Sequence, residues 1–401
     1  ATACGPRASS VGAVWTYGDC GQRFDCAWQA PVDRARRASS LKKLVRRWYL
    51  VSILNAVPKE KMFNENYPYK SSESFTMRKS FKDLSINIKK KFKSKLILEI
   101  GSNDGAFIKN FKKENIIGVE PCKNLAKITR KQGYKTFSEY WDLSLAKKIS
   151  KKKKVDMIYS ANTLSHIKNF SEIFKAVDLS LSHKGILILE DPSLLECIKN
   201  VAYDQFYCEH IYVFSTIALQ KILDQFGLEI FDIENIKTHG GSNRYFIKNK
   251  KNKFYKINKR LKKNINLERK RGLHKFYTYK KFAKKVATSK ERLNKIFKTL
   301  RAKNKKIIGY GATAKSCTVL NYCKIGTEKI DFFYDTTSYK IGKFLPGSKI
   351  KIKNYRKLSA DEVDYVFLGA WNFKNEIFKK EHKFISQGGK FITHIPVPKI
   401  I

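Results

Sequence analysis

The chain has 401 residues, 42% hydrophobic and 13% aromatic, which is enough for two or three domains with cores of their own. No run approaches the ~18 consecutive apolar residues of a helical membrane span, and no charged-then-apolar leader opens the chain, so a cytoplasmic enzyme is the expectation. The formal net charge of +47 would suit nucleic acid. However, the lysines are spread along nearly the whole chain and rise together with Ile, Asn, Phe and Tyr, whose codons are rich in A and T, so genome bias explains them better than a binding stripe; an anionic small substrate would still profit from the field.

Residues 1–48 form an atypical segment. The first forty contain no Lys, Ile, Asn or Leu and are rich in Ala and Arg, the reverse of the bias beyond Leu41; they read as a disordered or non-native stretch and are assigned no function. The eight cysteines, at 4, 20, 26, 122, 197, 208, 317 and 323, include no C-x-x-C pair. Neither a zinc site nor a disulfide framework is indicated, and no metal is expected.

From about Ile53 the sequence is coherent, with 49–94 as an N-terminal segment ahead of the first domain. Within 95–250, LILEI, IIGVE, VDMIYSA and GILILED alternate with helical patterns, which predicts a mostly parallel sheet covered on both faces. LEIFDIENI and NRYFI, after Phe226–Gly227, suit an antiparallel edge. Residues 251–304 are rich in Lys and Arg, and Tyr279, Phe282, Val286, Leu293, Ile296 and Leu300 recur at helical spacing, so a helical connector with a solvated cationic face is expected. At Lys305 a second, smaller α/β lobe begins, with KKIIGYGATAK, IDFFYD, VDYVFLGA and KFITHI.

LILEIGSNDGAF, Leu96 to Phe107, is the most informative stretch. Gly101 permits a sharp turn and close ligand approach, Gly105 lets the following FIKNF helix pack near the strand, and Ser102 and Asn103 lie between them. Glu99 stands where a dinucleotide fold keeps an apolar residue. A carboxylate there would repel a pyrophosphate but attract the ammonium of S-adenosylmethionine. Glu120 ends the next strand, about twenty residues on, where it can bind both ribose hydroxyls. Asn162 ends a third strand at the edge where such sheets bind ligands. These features predict an S-adenosylmethionine-dependent methyltransferase.

Proton-transfer groups crowd into NTLSHI, with His166, and YDQFYCEHIYVFS, with Tyr203, Tyr207, Glu209, His210 and Tyr212. Any single histidine is more often a satisfied core or surface residue; the cluster beside a cofactor loop weighs toward catalysis. A methyl on a sulfonium needs no activation, so a carbon acceptor would require a base that removes a proton beside a carbonyl. In the second lobe, GYGATAKS offers Gly309, Gly311 and the backbone of a helix N-terminus, with Lys315 just inside, as an anion site, or else a turn that binds nothing. Lys340, Lys343 and the Leu345–Gly347 turn are placed to assist.

NYPYKSSES, LEIGSNDGAF, GVEPCKNLA, ANTLSHI, YDQFYCEHIYVFS, HGGSNR, GYGATAK with FLPGSKIKI, and GAWNF with GGKFITHIP occur in one order. Together they resemble the sugar-nucleotide C-methyltransferases that methylate carbon 3 of 4-keto-deoxysugars, over about Ile53 to Ile401. The resemblance implies a class I methyltransferase domain, then a Rossmann-like C-terminal lobe (305–401), and a sugar nucleotide, dTDP-linked, held between them. It implies His210 as the base, Tyr207 and Glu209 as its orienting partners, and His166 in the same pocket; Tyr67 or Tyr69 would reach the sugar. The family's zinc is held by cysteine pairs near the N-terminus that are absent here. Two other readings stay open: an oxygen, nitrogen or RNA acceptor, and a non-catalytic nucleotide-sugar-binding relative.

Overall fold

The computed structural model describes residues 51–52 and 57–401; the atypical N-terminal segment, with Cys4, Cys20 and Cys26, lies outside the described residues. Two sheets dominate. The larger is built from β2 (Ile97–Ile100), β3 (Ile116–Val119), β4 (Lys135–Phe137), β5 (Val155–Ala161), β6 (Leu181–Pro192), β8 (Leu228–Ile236) and β9 (Ser242–Asn249), in the order β4-β3-β2-β5-β6-β9-β8. The first five are parallel, and β9 is antiparallel to both β6 and β8, which is the edge expected after Gly227.

Successive side chains on a strand face opposite sides, so two cores form, one on each face. Ile97, Ile116, Met157, Tyr159, Ile186 and Ile188 meet Met77, Phe81, Leu84 and Ile88 of helix α1 (Phe75–Lys91). Those four recur at intervals of four, three and four, which is one stripe of a helix. Leu98, Ile100, Val119, Ile158 and Leu187 pack on the other face against α3 (Leu143–Ser150) and α4 (Phe170–Ser180), while α2 (Lys123–Lys131) joins β3 to β4. Short β1 (Val51–Ser52) pairs antiparallel with β7 (Tyr212–Val213) and ties the start of the described chain to the YDQFYCEHIYVFS segment.

The smaller sheet contains β10 (Ile307–Tyr310), β11 (Phe333–Asp335), β12 (Ile352–Asn354), β13 (Tyr365–Leu368), β14 (Lys390–Thr393) and β15 (Lys399–Ile400), in the order β12-β11-β10-β13-β14-β15. The connector is two helices, and each belongs to a lobe. After α5 (Thr216–Asp224) in the first lobe, α6 (Lys259–Lys270) docks on α5: the Glu268 carboxylate accepts the Thr216 and Ile217 backbone N–H groups at 2.7 and 3.0 Å, two donors a helix start leaves unpaired. Helix α7 (Phe276–Ala302) buries Phe282, Val286, Leu293, Phe297 and Leu300 in the second core. That core also contains Leu194, Leu195, Tyr203 and Phe206 of the first lobe, so the two lobes share apolar contacts.

Two expectations are corrected. FIKNF does not start an α-helix; Ile108–Asn110 is a single 3-10 turn, and Phe111 already has extended backbone. Gly105 therefore has a different partner: at φ 85° its missing Cβ leaves room for Cγ2 of Thr129, on α2, which a β-carbon would approach to 2.7 Å. Its place is in packing, outside the cavity lining.

Candidate active site

The carboxyl ends of β2, β3 and β5 open into one cavity of about 770 Å³, within the range of a site for a sizeable ligand. Its wall includes Glu99, Gly101, Ser102, Asn103, Glu120, Asn162, His166, Tyr207, Glu209, His210, Tyr67 and Tyr69 from the first part of the chain, and Lys315 and Lys340 from the second lobe. Folding thus gathers residues that are separated by almost three hundred positions.

The cofactor half is built on backbone. Gly101, at φ 73°, donates its N–H to the Val119 carbonyl at 2.8 Å; a β-carbon there would lie 2.3 Å from Thr163 Oγ1. Glu120 holds the loop in place, accepting the Asn103 N–H on Oε2 at 2.7 Å and the Cys122 N–H on Oε1 at 2.9 Å. Each oxygen retains acceptor capacity for a hydroxyl. Glu99 is buried and its Oε2 has no partner in the protein. Burial first, then the negative charges of Glu120 and Asp104, hold its carboxyl well above the usual carboxylate range. A ligand ammonium would supply what is missing. Ser102 Oγ and Asn162 Oδ1 are likewise buried without partners on this wall. The residues therefore fit S-adenosylmethionine, with Glu99 for its amino group and Glu120 for its ribose.

The opposite half carries the proton-transfer groups. His210 is buried, with Nδ1 2.9 Å from the Gln205 carbonyl and Nε2 2.8 Å from the Tyr207 hydroxyl. A carbonyl can only accept, so Nδ1 carries the proton and Nε2 receives the phenol's. Burial, with the positive charge of neighbouring groups adding to it, holds the imidazole well below its ordinary value and keeps it neutral. His166 lies between the rings of Phe63 and His210, each 5.3 Å away, and burial pushes it down to about 3. The turn that carries it is held by Asp191, whose Oδ1 accepts the Ser165 N–H at 3.2 Å. Tyr67 donates to Glu209 Oε2 at 3.0 Å, and burial raises the Glu209 carboxyl. Tyr69 also lines the cavity, half-exposed. Both tyrosines of NYPYKSS therefore face the site.

The second lobe contributes differently from what its glycine turn suggested. Gly309 and Gly311 do not line the cavity: β-carbons there would meet the Phe333 ring at 2.3 Å and the Ala370 Cβ at 2.7 Å, so both glycines serve close packing. The Ala312 N–H, which a phosphate could have used, is taken by Asp335 Oδ2 at 2.8 Å, and the Ser316 N–H by the capping Thr313 hydroxyl at 3.1 Å. Of the cations, Lys315 donates to the His239 carbonyl at 3.2 Å, while Lys340 donates to the Ala312 carbonyl at 2.9 Å and pairs with Asp335 Oδ2 at 3.3 Å. Lys343 and the Leu345–Gly347 turn lie outside the lining; Lys343 stacks over Tyr339, and the Pro346 carbonyl accepts from Asn321 of α8 (Ala314–Cys323).

Sequence reasoning missed the junction between lobes. Asp204, fully buried, accepts from the Trp371 indole and faces His394 Nε2 at 3.2 Å. Gly240 leaves room for the Trp371 ring, which a β-carbon would approach to 2.2 Å, and beside it His239 reaches the cavity wall. The signal for these was their membership in the motifs YDQFYCEHIYVFS, HGGSNR, GAWNF and GGKFITHIP. Among the described residues, no three His, Cys, Asp or Glu side chains converge as a metal ion requires.

A mostly parallel sheet in the order β4-β3-β2-β5-β6-β9-β8, with an antiparallel β9, an acid on the glycine-loop strand and another ending its neighbour, defines a class I, S-adenosylmethionine-dependent methyltransferase. Residues 74–233 match the family described as "Methyltransferase domain" and residues 237–396 the one described as "C-methyltransferase C-terminal domain". The chain is similar to C-methyltransferases in both parts. It is 29% identical to the C-methyltransferase NovU of Streptomyces niveus over 363 residues, 89% of this chain and 86% of that one. Among solved structures it is similar to PH0226 from Pyrococcus horikoshii, at 16% identity and TM-score 0.35, covering 45% of this chain and 94% of that one. It is also similar to the magnesium protoporphyrin IX methyltransferase of Synechocystis with bound SAM, at 13% identity and TM-score 0.31, covering 42% and 77%.

Proposed function

We propose that the acceptor is carbon 3 of a nucleotide-linked 4-keto-deoxysugar, dTDP-linked by resemblance, and that His210 is the base. The observation that carries this is the neutral, buried Tyr207–His210 pair opening into the same cavity as the cofactor acids. A neutral amine or an already ionised oxygen attacks through its lone pair without such a base, whereas a carbon acid must first lose a proton.

Glu99 and Glu120 hold S-adenosylmethionine by its amino group and ribose, and Asn162 and Ser102 complete that wall. When bound, the cofactor supplies a methyl already activated by the sulfonium. The chain's own task is to make carbon 3 nucleophilic. The proton leaves carbon 3 toward the Tyr207–His210 pair and ends on His210 Nε2, reached through the phenol hydroxyl that now donates to it. Gln205 fixes the tautomer and Glu209 orients the Tyr67 phenol. His166, kept neutral by burial, adds no charge of its own beside the base. Lys315 provides positive charge for the diphosphate of a sugar nucleotide, a proposal that its contact with the His239 carbonyl supports by holding the ammonium at the wall; Lys340, paired with Asp335, contributes less.

The test is incubation of a dTDP-4-keto-6-deoxyhexose with S-adenosylmethionine in deuterated water, read by mass spectrometry. Loss of the carbon-3 proton with gain of one methyl is expected. Replacing His210 by Ala should cost ~10²- to 10⁴-fold in kcat, the range of general base catalysis. Full methylation by that variant would refute the carbon-acid reading and favour an oxygen or nitrogen acceptor.

A further inference from the structure

The cofactor loop carries one acid that methyl transfer itself does not use. Asp104 is buried and does not line the cavity. Its Oδ1 accepts the Ser71 hydroxyl at 3.1 Å and the Ser72 N–H at 3.2 Å, and its Oδ2 accepts the Ser72 hydroxyl. Asn103, in left-handed backbone at φ 49°, accepts the Ser71 N–H at 2.9 Å and donates to the Tyr69 carbonyl at 3.2 Å. Asn124, on α2 just beyond Glu120, donates to the Tyr67 carbonyl at 2.9 Å. The segment bearing both cavity tyrosines is therefore stitched to the loop and strand end that meet the cofactor. The loop in turn hangs on Glu120 through the Asn103 N–H.

A purely structural staple would need one or two such bonds anywhere along the segment. Here a single carboxylate gathers three donors from consecutive serines, and the neighbouring side chain takes another. All of them originate between the loop glycines, where movement of the cofactor site is felt first. Ligand contacts at Glu99 and Glu120 would restrict that loop, and the entropy of ordering residues 67–72 would then already be spent when the acceptor arrives, which would couple the two sites.

We propose that Asp104 is a positioning residue that transmits cofactor occupancy to Tyr67 and Tyr69, so that the acceptor binds second and more tightly to the loaded enzyme. The acceptor arm rests on the reading that these tyrosines face the methyl acceptor; the coupling itself does not.

The test is hydrogen exchange on the full chain with and without S-adenosylhomocysteine, read at the Ser71 and Ser72 amides. In the parent, the ligand should slow exchange there. In Asp104→Asn that slowing should vanish while the ligand's Kd, by calorimetry, moves by less than about 2-fold. Ser72→Ala, a milder change at a half-exposed site, should show the same loss, and Ser72→Thr should restore it. With a turned-over acceptor, Asp104→Asn should raise its KM about 10-fold, in the range of coupling between sites, and by reciprocity remove the tightening of the cofactor by bound acceptor, while cofactor affinity without acceptor stays unchanged. No slowing in the parent would overturn the proposal, as would a fall in ligand affinity matching the loss of protection. Slowing in the parent that Asp104→Asn abolishes, with no methylation of any 4-keto sugar, would uphold the coupling and reject only the acceptor class.

Discussion

Replacing Glu99 by Gln should have effects of opposite sign on stability and on cofactor affinity. Glu99 is buried with one oxygen unpartnered, and the charges of Glu120 and Asp104 add to the cost of ionising it. Because its folded pKa is raised, the folded state takes up a proton that the unfolded state has released. Stability therefore falls as pH rises from the unfolded value near 4.5 through the folded one and then levels. Each unit of elevation corresponds to about 1.4 kcal/mol. Glutamine keeps the shape and loses the charge, so unliganded Glu99→Gln should melt higher than the parent at pH 8, with the gap narrowing toward pH 4.5. The same variant forfeits a charge-assisted hydrogen bond to the cofactor's ammonium, worth about 1.5–3 kcal/mol, or roughly 10- to 150-fold in Kd. Thermal melts of the ligand-free protein across pH and calorimetry with S-adenosylhomocysteine measure the two effects separately. An unchanged Kd would refute the assignment of Glu99 to the amino group. A melting point that falls at pH 8 would refute the electrostatic argument.

Two further outcomes are expected from the structure. His166 is held at about 3 by burial, so between pH 6.5 and 5 the unfolded chain gains a proton there that the folded chain does not, and about 2 kcal/mol is lost. In His166→Phe, which preserves the ring stack, the stability difference from the parent should shift by that amount in the variant's favour over this window; a constant difference in paired urea titrations would contradict it. Gly309→Ala should destabilise by about 1–3 kcal/mol, because its β-carbon meets the buried Phe333 ring at 2.3 Å. Denaturant melts without ligand check this, and since Gly309 does not line the cavity, the effect should be the same with a nucleotide present.

Much of the architecture was legible because it rests on local patterning. The seven main-sheet strands arise from short β-rich runs, six of which stand out in the sequence; Lys135–Phe137 is too short and too polar at its start to announce itself. The antiparallel edge is marked by the Gly227 break. The two acids and Gly101 could be placed at strand ends and in a tight turn because these are properties of a dozen contiguous residues. FIKNF failed for the converse reason: a run of five with three apolar residues does not distinguish an α-helix from a 3-10 turn that packs Phe107 and Phe111 together.

The sequence by itself determined the chemistry available to this protein: an acid on the glycine-loop strand, an acid on its neighbour, and a histidine flanked by phenols and a carboxylate. Only the tertiary structure decided which groups meet. It put His166 against His210, Tyr67 against Glu209 and Asp104 against Ser71–Ser72, contacts across 32 to 142 positions that no local pattern encodes. It also reassigned the second lobe's glycine turn from ligand binding to packing. The space beside a glycine, and the backbone N–H left free by a helix start, are settled by whichever side chain the fold brings there, here Phe333, Ala370 and Asp335.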